Sequence, residues 1–277
     1  MKKTILLIGS SGYIGIKLKQ ALNKKFNLIN TSRKKGFDIS NSKSFKKYSN
    51  RNIDIIINLS GQRSNNIKSM KKTIVNGNKN IINFCKKKNI WVYYFSTSLI
   101  YGFSNNKKRE TSYKNPQDLY SKYKYLAEKE YLKSKINYKI FRLCNIYNGK
   151  KIGIVRSIID SIFKNKKLQI TNSKSYRNYI YINDLINIIC KIIKKNLKHS
   201  IYNIGFENIK IIEMIKLLNN KYKIKINYID KNQNLKKIPS QKINIDKILR
   251  EIKYKPKIKL RDYLLRKYYE ELKIFKK

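Results

Sequence analysis

Residues 9–15 read Gly9-Ser10-Ser11-Gly12-Tyr13-Ile14-Gly15, with a glycine at every third position. They follow the apolar run Lys3–Ile8 and open a helical pattern. A strand, a glycine turn and a helix in that order form the arrangement that cradles a dinucleotide pyrophosphate. Gly9 lets the chain turn sharply, Gly12 lets backbone approach the phosphates, and Gly15 lets the helix pack closely on the strand. The helix N-terminus, with Ser11, Tyr13 and Ile14, then faces the phosphates. A second pattern is Tyr120-Ser-Lys-Tyr-Lys124, which puts a phenol and an ammonium four apart on one helix face. An ammonium beside a phenol favours the phenolate, so such a Tyr can pass a proton at a carbonyl or alcohol oxygen while hydride moves at carbon. A third is Asn30-Thr31-Ser32-Arg33-Lys34-Lys35. About 20 residues after the first glycine, NAD-binding sheets place an acid for the ribose hydroxyl. None stands in this run. Ser32 and the forked Arg33 suit a ribose 2′-phosphate instead, which favours NADP while leaving NAD open.

The elements that must position these residues alternate along the chain. Strand-length apolar runs are Lys3–Ile8, Leu28–Thr31, Ile53–Asn58, Trp91–Ser96 and Tyr138–Leu143. Helical spacing covers Tyr13–Lys25, Lys68–Lys88 and Leu119–Ser134. Runs without alternation, such as Ile55-Ile56-Ile57, fit strands buried on both faces. The expected fold class is therefore α/β, a Rossmann-type doubly wound parallel sheet. Beyond about residue 150 the pattern is less regular. Helices are expected over Ile152–Lys164, Asn183–Lys195, Ile209–Asn219 and Leu260–Leu272, and short strands at Leu168–Ile170, Tyr179–Ile180 and Ile201–Ile204. The expected organisation is a dinucleotide-binding domain over 1–150 and a smaller mixed substrate lobe over 151–277, with about 178–204 returning to the first sheet.

Composition narrows the function classes. In 277 residues, Lys plus Arg is 65 and Asp plus Glu is 16, a formal charge of +49. That excess first points to nucleic acid. Yet 55 of the 65 bases are Lys, Ile occurs 48 times and Ala twice. Lys, Ile, Asn and Tyr have AT-rich codons, so a biased base composition explains the skew without selection for a basic surface. Lys is spread over every segment and no RNA-clamp motif is visible, so no specific nucleic-acid partner is expected. Three scattered cysteines and one histidine, His199, argue against a disulfide framework, a zinc site and a His-based triad. No metal is expected. The apolar start of the chain stops at Gly9 with no cleavage site, and the longest uncharged stretch is rich in polar residues. A soluble, cytoplasmic protein without membrane contact is the expectation.

Taken together, the motifs resemble those of the NAD(P)-dependent epimerase/dehydratase family, the extended short-chain dehydrogenases/reductases that modify nucleotide sugars. The resemblance runs over almost the whole chain. Gly36-Phe37-Asp38-Ile39-Ser40 resembles the family's G-D-I/V segment with one residue inserted, which puts Asp38 and Ile39 beside the adenine. Asn58-Leu59-Ser60-Gly61-Gln62 resembles the loop whose backbone lies along the cofactor, through Leu59, Ser60 and Gly61. Phe95-Ser96-Thr97-Ser98-Leu99-Ile100-Tyr101-Gly102 matches the strand ending in S-S/T-x-x-V-Y-G, so Thr97 falls on the catalytic Ser/Thr and Ser98 beside the substrate. Pro116, Tyr120, Lys124 and Glu128 match P-x-x-x-Y-x-x-S-K-x-x-x-E, with Tyr123 in place of the Ser. Phe141-Arg142-Leu143-Cys144-Asn145-Ile146-Tyr147 resembles L-R-x-x-N-V-Y, and Arg177–Leu185 resembles R-D-F/Y-I-x-V-D-D-L. The resemblance implies that Asn145 and Arg177 meet the sugar nucleotide. It also implies a homodimer through Lys68–Lys88 and Leu119–Ser134. Asn178 and Asn183 depart from acids usual in the family, Asn78 from a Thr, and Ile74 from an Asn.

Family members diverge in chemistry around the Tyr. The 4,6-dehydratases carry an Asp-Glu pair directly after the catalytic Thr, where this chain has Ser98 and Leu99. Neither can do that acid–base work. Epimerases hold NAD tightly and usually keep the acid after the second strand. Reductases of 4-keto sugars consume NADPH. Ser32, Arg33 and the compact second lobe lean toward a 4-keto-sugar reductase, with an epimerase as the alternative and a non-catalytic NAD(P)- or RNA-binding protein as the alternative of another class. The expected catalytic set is Thr97, Tyr120 and Lys124.

Overall fold

The computed structural model describes residues 2–61, 63–147, 153–164, 166–231 and 240–275. Gln62 and Ile152 of the segments quoted above lie outside them. In chain order the elements are β1 (Thr4–Ile8), α1 (Tyr13–Leu22), β2 (Asn27–Thr31), β3 (Ile55–Asn58), α2 (Ile67–Lys71), α3 (Gly77–Cys85), β4 (Trp91–Thr97), β5 (Ser104–Lys108), α4 (Leu119–Lys133), β6 (Asn137–Leu143) and β7 (Asn145–Tyr147). There follow α5 (Ile154–Phe163), β8 (Leu168–Thr171), β9 (Tyr176–Tyr181), α6 (Ile182–Lys194), β10 (Ile201–Ile204), β11 (Glu207–Lys210), α7 (Ile211–Tyr222), β12 (Tyr228–Lys231), β13 (Gln241–Ile243), α8 (Asp246–Ile252) and α9 (Leu260–Phe275).

The chain divides into two compact units. The first holds residues 1–102, 112–143 and 186–204, and the second holds 103–111, 144–185 and 205–277. In the first unit six strands form one sheet in the order β10-β6-β4-β3-β1-β2. Every pairing in it is parallel, with Ile8 opposite Thr31, Ile57 opposite Tyr93 and Ile201 opposite Ile140. This is the doubly wound parallel sheet expected from the apolar runs. Ile55, Ile56 and Ile57 are at most 2% exposed, as strands covered on both faces require. One face packs on Met70, Ile74, Ile81, Cys85, Ala127 and Tyr131 from the helical segments. Because the strands run parallel, their C-terminal ends and the loops that follow gather at one edge.

One helix departs from its expected course. The pattern over Lys68–Lys88 predicts a single helix, but a π-turn over Lys72–Asn76 separates α2 from α3. There the Gly77 amide donates to the carbonyl of Lys72, five residues back. The Ile74 carbonyl accepts from the Asn78 side chain at 2.5 Å. Asn78 is 1% exposed, so its amide satisfies a buried backbone oxygen and lets the irregular turn exist.

In the second unit β9 pairs with β7 in parallel and with β11 antiparallel. Two further parallel pairs, β8 with β12 and β5 with β13, stand apart. Helices α5, α7 and α9 bury Ile158, Met214, Leu218 and Leu264 in a separate core. The sequence reading does not foresee β5, β7, β11, β12, β13 or α8. These elements have three to seven residues and mixed polarity, as in Ser104-Asn-Asn-Lys-Lys108, so neither periodicity nor propensity marks them.

The first unit is tied internally by a buried ion pair. Arg142 on β6 meets Glu128 on α4, with Nη2 donating to Oε2 at 2.7 Å and Nε to both oxygens at 3.2 Å. The Arg142 Nη1 also donates to the Tyr101 hydroxyl at 2.8 Å, and that hydroxyl donates to Asn203 on β10 at 2.7 Å. Burial works against the Arg142 charge, but Glu128 and Tyr101 outweigh it and hold its proton more tightly than usual. Truncating one partner of such a pair strands the other charge in an apolar interior. Glu128→Ala is expected to lower unfolding stability by about 3–5 kcal/mol, read by urea denaturation. A loss no larger than that of an exposed-residue control would count against this assignment.

Candidate active site

The glycine turn follows β1. The amides of Gly9 and Ser10 both donate to the Thr31 carbonyl at the end of β2, at 3.0 and 3.1 Å. Gly9 has φ +85°, a conformation that favours glycine. A Cβ on Gly15 would lie 2.2 Å from the Gly9 carbonyl oxygen, so α1 can sit this close to the turn only with glycine there. At Gly12, the N-cap of α1, a Cβ would meet only the Gly9 oxygen at 3.3 Å. Within the protein that cradle is nearly open, and a Cβ would fill the room a phosphate needs. Tyr13, Ile14 and Gly15 form the first turn of α1, while Ser11 is exposed at its mouth. These residues fit a dinucleotide pyrophosphate.

The loop after β2 places Ser32, Arg33, Asp38 and Ile39. Ser32 is buried and its hydroxyl has no hydrogen-bond partner. Arg33 is exposed and its Nη2 reaches Thr73 Oγ1 of the π-turn at 3.4 Å. Asp38 Oδ1 accepts from the Ser40 amide and hydroxyl at 2.9 and 2.8 Å. Burial raises the Asp38 carboxyl, but Ser40 and the charges of Arg33 and Lys72 hold it below the usual range. Ile39 is buried against Gly77, where a Cβ would lie 2.8 Å away. The π-turn thus supports this loop directly.

Leu59, Ser60 and Gly61 follow β3. The Leu59 amide donates to the Ile8 carbonyl at 3.0 Å. Ser60 is held by its amide and hydroxyl donating to Asn58 Oδ1, at 3.0 and 2.6 Å. Asn58 in turn donates to Asn78 Oδ1 at 2.9 Å, which also accepts from the Tyr131 hydroxyl at 2.6 Å. This buried chain links β3, α3 and α4. The sequence reading registers Asn78 only as a departure from a Thr, because its partners are 20 and 53 residues away.

Thr97 ends β4 and its hydroxyl accepts the Leu99 amide at 3.3 Å. Ser98 opens the short 3-10 turn that follows and is 2% exposed. Helix α4 is started by a capping box in which Asp118 accepts the Ser121 amide at 2.8 Å. Tyr120 and Lys124 stand on its first two turns. Lys124 is buried, and its Nζ donates to the carbonyls of Phe95 at 2.9 Å and Ser60 at 3.2 Å. It therefore joins the catalytic-helix candidate to the end of β4 and to the loop after β3. Burial pushes the Lys124 ammonium down to about 7, against the pull of Glu128. Burial pushes the Tyr120 phenol up to about 12; Arg63 lowers it and Asp118 raises it. The Lys124 ammonium lies 5.9 Å from the Tyr120 ring centroid. In the protein alone, desolvation outweighs any acidifying effect of Lys124 on the phenol.

Asn145 and Arg177 lie in the second unit. Asn145 on β7 donates from Nδ2 to the Asn178 carbonyl at 3.0 Å. Arg177 on β9 donates to the Tyr176 carbonyl at 2.9 Å and stacks 5.2 Å from the Phe103 ring centroid. Asp184 lies in the first turn of α6. Its oxygens accept the Tyr254 hydroxyl at 2.6 Å and the amides of Lys257 and Ile258 at 3.1 and 3.0 Å. Among the described residues, no cluster of His, Cys, Asp or Glu could hold a metal ion. Among them, too, no helix is long and apolar enough to cross a membrane.

The model of a family described as "NAD dependent epimerase/dehydratase family" matches residues 5–205. A dTDP-D-glucose 4,6-dehydratase from Dictyostelium discoideum is 28% identical over 250 residues, covering 73% of this chain and 58% of that protein. The chain therefore spans little more than half the length of that relative. An ADP-L-glycero-D-manno-heptose-6-epimerase from Brachyspira hyodysenteriae is 24% identical over 259 residues, with 79% and 81% coverage. Among solved structures, a dTDP-glucose 4,6-dehydratase from Bacillus anthracis in complex with NAD superposes with a TM-score of 0.83 at 18% identity, covering 99% of this chain and 98% of that one.

The depressed Lys124 ammonium makes stability depend on pH. A lysine lowered to about 7 on folding binds fewer protons in the folded than in the unfolded chain between pH 7 and its ordinary value near 10.5. Its contribution therefore grows more favourable as pH rises through that window. Wild type is expected to gain stability relative to Lys124→Met between pH 7 and 10 in paired urea titrations. A flat difference would contradict the buried, desolvated placement.

Proposed function

Since the chain belongs to the NAD-dependent epimerase/dehydratase family, we propose that it is an NAD(P)-dependent oxidoreductase acting on a nucleotide-activated sugar, and specifically a 4-keto-sugar reductase. The observation that carries this reading is the placement of Lys124. Its ties to Phe95 and Ser60 fasten the helix that carries Tyr120 to β4, the strand that Thr97 ends, and to the loop after β3. When bound, the nicotinamide cofactor supplies the hydride to the keto carbon. The Tyr120 phenol donates a proton to the keto oxygen, and the Thr97 hydroxyl bonds and orients that oxygen. Lys124 anchors the cofactor side and supplies positive charge. Asn145 and Arg177 are the proposed contacts of the sugar nucleotide.

Two features support reduction over the other family chemistries. Burial raises the Tyr120 phenol and so disfavours the phenolate that would start an oxidation, while a reduction needs the protonated form. The positions after Thr97 are Ser98 and Leu99, so no carboxylate pair stands there to eliminate water. The exposed guanidinium of Arg33 in the loop after β2 supports NADP as cofactor, since its fork suits a 2′-phosphate. For a homodimer, Leu119 and Leu126 stand seven apart on one face of α4 and are 41% and 42% exposed.

A panel of keto and hydroxy nucleotide sugars with NADPH and NADH, followed at the nicotinamide absorbance, tests the reading. Net consumption of NADPH is expected; interconversion of sugars without net cofactor change would make the protein an epimerase instead. Tyr120→Phe is expected to lower turnover by a factor of about 10²–10⁴. Arg33→Ala is expected to weaken NADPH binding roughly ten- to hundredfold and to leave NADH nearly unchanged. Equal losses for the two cofactors would refute the 2′-phosphate assignment.

A further inference from the structure

The loop after β3 carries a cation that the motifs do not single out. The Arg63 guanidinium lies 5.3 Å from the Tyr120 ring centroid. Its Nη2 donates to Asp118 Oδ2 at 2.9 Å. Asp118 is the N-cap of α4, so one side chain reaches from the loop to the start of the helix, with the Tyr120 ring beside it. Lys124 stands farther from the same ring, at 5.9 Å, and directs its protons to Phe95 and Ser60. The groups facing Tyr120 are Arg63 from the loop, Asp118 and Lys124 from its own helix, and Tyr94 from β4.

We propose that Arg63 is a positioning residue of the Tyr120 acid–base site, held near the ring by Asp118, where its charge favours the phenolate and offsets the Asp118 carboxylate. The side chains of this pair are 60% and 39% exposed, so the pair adds little to stability. Its value lies in where it holds the charge. A cation near an aromatic face is attracted to it, and a positive charge near a phenol stabilises the ionised form. The directions agree, since Arg63 lowers the Tyr120 phenol and Asp118 raises it. Lys124 donates to two backbone oxygens, and Arg63 stands nearer the Tyr120 ring, beside any phenolate that forms during turnover. The inference rests on the reading of Tyr120 as proton donor.

The test titrates Tyr120 itself. In protein labelled with 13Cζ-tyrosine, the Tyr120 resonance is the one lost in Tyr120→Phe. Its ionised fraction is compared at one alkaline pH at which circular dichroism shows every variant folded. Arg63→Ala is expected to lower that fraction about threefold, the effect of one exposed charge at this separation. Arg63→Lys retains the charge and is expected to keep the wild-type fraction. Asp118→Asn keeps an N-cap oxygen but loosens the hold on Arg63 while removing the opposing carboxylate, and is expected to change the fraction less than Arg63→Ala does. A purely structural strap predicts that Arg63→Lys, which loses the forked geometry, lowers the fraction as Arg63→Ala does, and that result would overturn the inference. So would an unchanged fraction in Arg63→Ala. Wild-type turnover by Tyr120→Phe is a separate measurement, and it would sink the proton-donor reading rather than the placement of Arg63.

Discussion

Arg142 and Glu128 sit at 1% and 0% side-chain exposure with three contacts between them, and the first unit is arranged around their mutual need. Two ions taken out of water are stable only if each finds the other in good geometry and the remaining donors are satisfied. Arg142 points from β6, Glu128 from the middle of α4, and Tyr101 from the turn after β4. Asn203 completes the set from β10. Four elements distant in sequence are thereby held in one register. The helix that carries Tyr120 and Lys124 cannot rotate or slide on the sheet without stranding a charge. The site depends on this clamp, whose Glu128 also acts on the charge of Lys124.

The same logic recurs on a smaller scale around the loops. Lys124 is a buried ammonium that answers two backbone carbonyls, and in doing so it joins three segments that meet at the C-terminal edge of the sheet. In the π-turn the Ile74 carbonyl accepts from the Asn78 side chain, whose oxygen in turn accepts from Asn58 and Tyr131. That turn then packs on both loops proposed to face the cofactor. Thr73 meets Arg33, Gly77 admits Ile39, and Gly61 admits the Ile74 side chain at a distance no Cβ would tolerate. Irregular backbone is retained here because satisfied polar groups surround it.

The charge of +49 takes a subordinate place in this picture. Lys124, Lys139 and Arg142 are basic residues inside the first unit, and each is tied to specific oxygens. Lys139, for example, donates to the carbonyls of Leu197 and His199 at 2.7 and 2.9 Å. Many of the remaining lysines are exposed, where they raise the affinity for any phosphate-bearing ligand without choosing among them. Choice requires a positioned group, such as Arg33 beside Thr73 or Arg63 beside Asp118.

The sequence alone determined the parallel sheet, the glycine turn and the helix with Tyr120 and Lys124. Each rests on local rules. Unbroken runs such as Ile55–Ile57 can only be buried on two faces, and residues four apart on a helix share a side. The strand at Ile201–Ile204 is legible for the same reason. The tertiary structure decided what lies between those rules. The short strands of the second unit and the partners of Arg63 and Arg142 depend on groups 14 to 137 residues apart, and the Asn78 that serves the π-turn over Lys72–Asn76 has its further partners 20 and 53 residues away. It also decided that Lys124 is desolvated and that burial raises the Tyr120 phenol. A spacing of four places the two side chains on one helix face, but only the packing around that face sets how much water reaches their charges, and so how each titrates.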